Sequence, residues 1–184
     1  MGFYAPAQLV ADARRHGVEV RGVDVNHSDW ECRLEGAGGE VGRKIEGEGQ
    51  REEREPTRAA LRLGFCMLQG MAQAPAERIM AARRMGEFRS MADFTRRTGL
   101  SRAVASRLAK AGAFGSLALQ RRGALWQALG QDGKDMPLFD RLEAESEPLP
   151  PLPAMSPAEE VLADYRSVGL SLAAHPVQFL REGL

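Results

Sequence analysis

Hydrophobic positions along the chain change their period twice. Over Pro6 to His16, Leu9, Val10 and Ala13 recur at helical spacing, with Pro6 near the first turn and Gly17 as the stop. Val18-Glu19-Val20 then alternates and predicts a short strand. Val23-Asp24-Val25-Asn26 reads as extended and ends in the polar His27-Ser28-Asp29. Trp30 to Leu34 alternates again, which predicts a strand with one buried face. Gly36 to Thr57 is Gly-rich and heavily charged, has little to bury, and is expected to be a mobile loop. Leu61 to Phe65 resumes the alternation and is expected to pair with the strand at Trp30.

From Met67 onward the period is helical. Ala74 to Arg84 predicts a helix with Pro75 in its first turn and Ala76, Ile79 and Met80 inward. Ser90-Met91-Ala92-Asp93 reads as a capping box, Ser90 as N-cap and Asp93 closing it, for a helix that ends near Gly99. Ser101 is expected to cap a helix from Arg102 to Ala111, stopped by Gly112, and Leu119 to Leu129 predicts another. Gly130 to Ala154 is acidic and ends in the run Pro148 to Pro153, which favours extended polyproline backbone. Ser156-Pro157-Ala158-Glu159 is a second capping box, opening a helix to about Val168, and His175-Pro176 breaks the chain before Val177 to Arg181. The predicted class is mainly α with a small β element.

Composition agrees with small helical modules. Of 184 residues 43% are apolar but only 6% aromatic, so the core is expected to be Leu, Ala, Val and Met. The zero formal charge hides an asymmetry: Gln73 to Leu125 holds eleven basic residues against three acidic, while Gln131 to Pro150 holds six acidic against two basic. A basic block beside an acidic tract fits a footprint for a polyanion, and equally a solvated Arg-rich helical face. Cys32 and Cys66 have neither metal nor disulfide-framework spacing and read as free thiols in a cytoplasmic protein. No apolar run approaches the ~20 residues of a membrane span, and no signal peptide is visible. The apolar opening Met1-Gly2-Phe3-Tyr4 is what the interior of a larger protein would show.

The chemistry-bearing pattern is Leu68-Gln69-Gly70-Met71-Ala72, followed by Ala76, Ile79 and Arg83, with Arg84 beside it. An apolar-polar-Gly-apolar-small turn between two short helices is a helix-hairpin-helix pattern. Small residues let backbone N–H groups approach a phosphate, and the helix N terminus adds partial positive charge. Alone, the turn also fits an ordinary helix corner capped by Gly70. A similar unit, Gly99-Leu100-Ser101 followed by Arg102 and Arg107, lies 29 positions on, within the same basic block. The pair predicts a tandem helix-hairpin-helix module that binds DNA through Gly70, Met71, Ala72, Arg83, Arg84, Gly99, Leu100, Ser101, Arg102 and Arg107. A helix-turn-helix reader of the major groove from Ser90 to Phe114 is the rival, but Ala103, Val104, Ala105 and Ser106 offer few long polar side chains for base edges.

A catalytic constellation is not expected. Asp24 and Asn26 come nearest to a two-metal pair, Glu143 and Glu145 lie in the linker, and His16, His27 and His175 are far apart without matching cysteines. No Gly-rich loop ending in Lys-Ser/Thr is present. Met136-Pro137-Leu138-Phe139 faintly resembles a peptide that binds a sliding clamp, and also fits a tethered linker.

Several stretches together resemble one family. They are Met1 to Val10, His16 to Arg21, Val23 to Trp30, Ala60 to Phe65, Gly99 to Arg102, Ala111 to Phe114, Glu159 to Val161, Asp164 to Arg166, Gly169 to Leu172 and His175 to Val177. They are similar to the C-terminal part of bacterial error-prone DNA polymerases of the C family, related to the alpha subunit of DNA polymerase III. The resemblance implies an end-of-fingers segment over residues 1–66, the tandem hairpins over 67–130, an acidic linker over 131–155, and a terminal helical segment over 156–184 leading to an OB-type domain. It also implies translesion DNA synthesis in DNA repair, with duplex DNA and the rest of the polymerase as partners. The parent would use Mg²⁺, with its catalytic carboxylates upstream and no cofactor in this segment. Gln69 stands where the family commonly has a basic residue and Ala72 where it has Gly. The alternative is a free-standing, non-enzymatic helix-hairpin-helix DNA-binding protein, or an interaction module acting through the acidic linker.

Overall fold

The computed structural model describes residues 4–36, 59–130 and 151–181. The expected loop at Gly36 to Thr57 lies almost entirely outside these residues. So do most of the acidic linker, the peptide Met136 to Phe139, and Glu143 and Glu145. The described elements run α1 (Pro6–Arg15), β1 (Glu19–Arg21), β2 (Arg33–Glu35), β3 (Ala60–Arg62), α2 (Gln73–Arg83), α3 (Met91–Thr98), α4 (Arg102–Lys110), α5 (Arg121–Gly130), α6 (Pro157–Ser167) and α7 (Gln178–Arg181). Short 3-10 turns lie at Phe65–Met67 and Gly115–Leu117. The class is mainly α with one small sheet, as the pattern predicts.

β3 is the middle strand, parallel to β1 and antiparallel to β2, with Leu61 opposite both Val20 and Leu34. The expected pairing forms, but both strands are shorter than the alternation suggests. β2 begins only at Arg33, because Trp30 and Glu31 serve another contact. The amides of Phe65 and Cys66 donate to Asp29 O and Trp30 O, both at 2.9 Å. Gly64 lies so close that a Cβ there would sit 2.4 Å from Trp30 O and Glu31 C. Nor is the apolar face of β2 buried: Leu34 is 62% exposed. The enclosed residue is Glu35, which accepts from Arg62 at 2.9 and 3.0 Å and from Arg21 at 3.1 Å. The Arg62 hydrogen bond, aided by Arg21, outweighs burial and holds the Glu35 carboxyl below its ordinary range.

The segment after β1, read as extended and ending in polar residues, is a buried loop. Val23, Asp24, Val25, Asn26 and Ser28 are all buried. Asp24 and Ser28 fold the loop on itself: Ser28 N donates to Asp24 O at 2.8 Å, and Asp24 N donates to Ser28 Oγ at 2.9 Å. The loop then reaches outward. Asn26 clamps the backbone of Phe88, accepting from its N–H at 2.8 Å and donating to its carbonyl at 3.0 Å. Asp24 Oδ2 accepts from Ser116 N at 2.9 Å, Val25 N donates to Ala113 O at 2.9 Å, and Ser28 Oγ donates to Leu63 O at 2.7 Å. Around the loop, one continuous apolar core runs from Val10 to Leu170 and includes Val25, Phe65, Ile79, Phe94 and Leu108. Phe94 meets Phe88 and Phe114 edge to face, each with ring centroids 5.1 Å apart.

The caps divide in the same way. Ser156 and Glu159 form the complete reciprocal box, at 2.8 and 3.3 Å. Ser90 Oγ accepts from Asp93 N at 3.1 Å, but Asp93 Oδ2 accepts from Arg89 N, one residue before the expected partner. Ser101 has the extended backbone of an N-cap and makes no side-chain cap bond, so that expectation is corrected. Arg97 locks the end of α2 to α3. It donates to Ala82 O and Gly86 O at 2.5 and 2.6 Å and to Asp93 at 3.0 Å, and its guanidinium lies 4.6 Å from the Phe88 ring centroid.

Two predictions follow from these contacts. Asn26→Ala leaves both buried backbone groups of Phe88 without their partner, so it is expected to destabilise the fold by about 2–4 kcal/mol. Urea unfolding reads that loss, and a change under about 0.5 kcal/mol would remove Asn26 from this role. At Asp93, burial opposes the charge, but bonds from Arg97, the Arg89 amide and Arg96 outweigh it and depress the carboxyl. A depressed carboxyl adds stability above its unfolded value of about 3.9 that is lost as pH falls through the folded value. Asp93→Asn is therefore expected to flatten the fall of stability below about pH 4. An acid limb identical to that of the unsubstituted chain would contradict the pair.

Candidate nucleic-acid interface

The two hairpin turns are built on left-handed glycines. Gly70 has φ +70° and Gly99 φ +56°, conformations that carry a steric cost for any residue with a Cβ. The second unit has the expected form: α3 ends at Thr98, Gly99 N donates to Thr95 O at 2.8 Å, and α4 starts at Arg102. The first unit is shorter on its leading side. In place of a helix from Met67 there is only the 3-10 turn Phe65–Met67, since the Phe65 and Cys66 amides are committed to Asp29 and Trp30. A turn closed by Met71 N and Leu68 O at 3.1 Å then leads into α2.

Met71 is 8% exposed and Leu100 half-buried against the core, so their side chains anchor the turns. Ala72 and Ser101 are the exposed N-cap residues of α2 and α4. The first amides of a helix have no partner within it, so both N termini direct N–H groups and partial positive charge outward.

The 29-residue spacing extends past the glycines. Arg78 stands eight positions after Gly70, and Arg107 eight after Gly99. The structure crosses them over. Arg107 of α4 lies against Gly70, where a Cβ would be 3.4 Å from its Nη2. Arg78 of α2 lies against Gly99 and donates to Gly99 O at 3.0 Å. Each turn thus has the arginine of the other hairpin beside it. Arg78 is absent from the residues expected from sequence; the repeated eight-residue offset is the signal that could have found it.

The other predicted arginines have different places. Arg83 is turned inward, donating to Val25 O, Ser28 O and Asp29 Oδ1 at 3.3, 2.8 and 2.6 Å, and only 15% of its side chain is exposed. Arg84 is exposed but follows the last residue of α2, roughly 18 Å along the axis from Ala72. Neither stands at a hairpin turn. Arg102 opens α4 and is exposed.

Arg102 and Arg107 also border a groove of about 1140 Å³ between α4, α5 and α6, with Lys110, Arg121, Arg122 and Arg166. Its floor includes Leu125, Leu129, Met155 and Ala163. Two of its cations are structural. Arg121 binds Asp164 at 2.6 Å and Glu160 at 3.2 Å, and packs on a third left-handed glycine, Gly112. Arg122 binds Glu159 at 3.0 Å and Pro153 O at 2.7 Å. Gln69, at the rim, donates its backbone N–H to Ser167 O of α6 at 2.8 Å. Among the described residues, no three His, Cys, Asp or Glu side chains converge to hold a metal, and no helix is long and apolar enough to cross a membrane.

Comparison with known proteins agrees with this geometry. The family model for the helix-hairpin-helix motif matches residues 17–124. The error-prone DNA polymerase of Sinorhizobium medicae (strain WSM419) is 46% identical over 199 aligned residues, covering 99% of this chain and 17% of its own length. That of Anaeromyxobacter dehalogenans (strain 2CP-C) is 48% identical, covering 100% and 15%, and that of Methylococcus capsulatus (strain ATCC 33009 / NCIMB 11132 / Bath) 44%, covering 100% and 18%. The chain thus spans under a fifth of the length of these relatives, and the expected resemblance to error-prone polymerases holds from end to end. With a model match over more than half of its residues, at the turns whose geometry is described above, the chain belongs to the helix-hairpin-helix family.

Proposed function

We propose that this chain is the part of an error-prone, DNA-directed DNA polymerase that grips duplex DNA by its phosphate backbone. The observation that carries this reading is the crossed arrangement of Arg78 at Gly99 and Arg107 at Gly70. A phosphate oxygen at either turn would meet small residues, outward amides of a helix N terminus, and a guanidinium supplied by the other hairpin. Gly70, Ala72, Gly99, Ser101, Arg78, Arg102 and Arg107 form this site, with Lys110 adding charge. Met71 and Leu100 set the turns from the core. Arg83 acts by positioning, because its donors hold the buried loop.

Such contacts read the backbone and carry no base information. The α4 surface suits this: exposed Ala103 and half-buried Ser106 offer base edges little. The whole-length relatives named as error-prone DNA polymerases support a polymerase setting over a free-standing binding protein. The rest of the polymerase chain is then a partner, and nucleotide addition, with its Mg²⁺, is the work of carboxylates elsewhere in it. The purified chain by itself is expected to bind duplex and give no template-directed primer extension; extension free of contaminating polymerase would overturn that division.

The binding reading is tested by fluorescence anisotropy with unrelated duplexes across a salt series. With about four phosphates neutralised, log K against log salt is expected to fall with a slope of roughly −3 to −4, nearly independent of sequence. Arg78→Ala and Arg107→Ala are each expected to flatten the slope by about 1, and Arg102→Ala together with Arg107→Ala by about 1 to 2, without changing sequence preference. Circular dichroism checks that each variant is folded. Arg33→Ala, on β2, is the control expected to leave the slope unchanged. An absence of salt dependence, or equal losses from Arg33 and the hairpin arginines, would sink the assignment.

A further inference from the structure

The function proposed above makes no use of the two cysteines, yet the fold brings them together. Cys32 and Cys66 are 34 positions apart in sequence, and both are exposed with free thiols. The lead-in to β2 lies along the 3-10 turn Phe65–Met67, joined by the Phe65 and Cys66 amides to Asp29 O and Trp30 O. Gly64 makes the approach possible, since any Cβ there would run into the Trp30–Glu31 backbone. The Gly64 amide donates to Cys32 Sγ at 3.3 Å, and Cys66 follows two residues later. Partial burial of its sulfur raises the Cys66 thiol above its ordinary range, and neighbouring Cys32 adds to the shift. Among the described residues no third His, Cys, Asp or Glu joins them in a group that could hold a metal, so the pair is a two-thiol site.

We propose that Cys32 and Cys66 form an oxidation site that closes to a reversible intramolecular disulfide, with hydrogen peroxide as the two-electron oxidant. The sulfur of Cys32, held by the Gly64 amide, attacks the peroxide, forming an S–O bond as the O–O bond breaks and giving a sulfenic acid and one water. Cys66 resolves it: its sulfur attacks Cys32 Sγ, the S–S bond forms, the S–O bond breaks, and the Cys66 proton leaves with the hydroxide as a second water. Two thiols lose two electrons and two protons, and the peroxide is reduced to two waters. The bond fastens the lead-in of β2 to the turn that enters the first hairpin, four residues before Gly70. A dithiol reductant reverses it.

The test treats the purified chain with hydrogen peroxide under native conditions and measures intact mass, free thiols and a non-reducing peptide map. The expected result is a loss of about 2 Da, joint loss of both thiols, and a peptide pair linking Cys32 to Cys66, all reversed by dithiothreitol. The rate is expected not to change with protein concentration. Cys32→Ser is expected to slow oxidation at Cys66 at least tenfold, while Cys66→Ser leaves Cys32 stopping at the sulfenic acid, trapped by dimedone. Independent sulfinic acids on the unsubstituted chain, links between chains, or thiols that react only in denaturant would overturn the proposal.

Discussion

A polar loop in a dry place sets the arrangement of everything around it. Asp24, Asn26 and Ser28 are each under 10% exposed, and a buried hydrogen-bonding group left unsatisfied costs about 1–3 kcal/mol. Their partners come from separate parts of the chain: Leu63 beside the sheet, Phe88 between α2 and α3, and Ser116 between α4 and α5. Ala113 is tied in through the backbone of Val25. These tertiary bonds leave little freedom for the sheet to slide on the hairpins, because a shift would strand several groups together. Arg83 closes the arrangement from α2, giving donors to the carbonyls of Val25 and Ser28 that the loop itself does not satisfy.

The basic block divides along the same line. Arg83, Arg97 and Arg121 are mostly enclosed, each with two or more oxygen acceptors, and their work is to fasten helix ends. Guanidinium suits this because its five donors lie in a fixed plane and it is only weakly hydrated. Arg84, Arg96 and Arg102 remain on the surface. Net charge read along the sequence counts both kinds alike, so it overstates the charge available to a polyanion. The acids that neutralise the enclosed group lie partly outside the block, as Asp29 and Asp164 do.

That division explains what could be read in advance. Helices α1 through α6 were legible because their periods, prolines and stop glycines are local signals, and Gly17, Gly99 and Gly112 all take the left-handed conformation expected of a stop. The sheet was legible in pairing but not in extent, since the contact at Gly64 is a tertiary approach without a local signature. The burial of the loop was not legible because its partners are 35 to 92 positions away. At the candidate site the two glycines were legible, while the choice between Arg83 and Arg78 was not. Both are arginines on α2, and only the packing of α2 against its neighbours decides which faces inward.

The crossing of Arg78 and Arg107 bears on why the motif occurs in tandem. A lone hairpin has a left-handed glycine and a helix N terminus, but its own arginine, eight residues on, lies about two turns up the helix from the glycine. Packing two such units side by side lets each arginine reach the neighbouring turn, so positive charge arrives at both glycines without lengthening either helix. Ala76 and Ala105, three-quarters of the way from one glycine to its arginine in each unit, are both buried, where larger side chains would overpack the core. The crossed arginines thus follow from one constraint, the placement of each turn beside the helix of the other hairpin. Loss of either hairpin would remove an apolar partner and a cation from the one that remains.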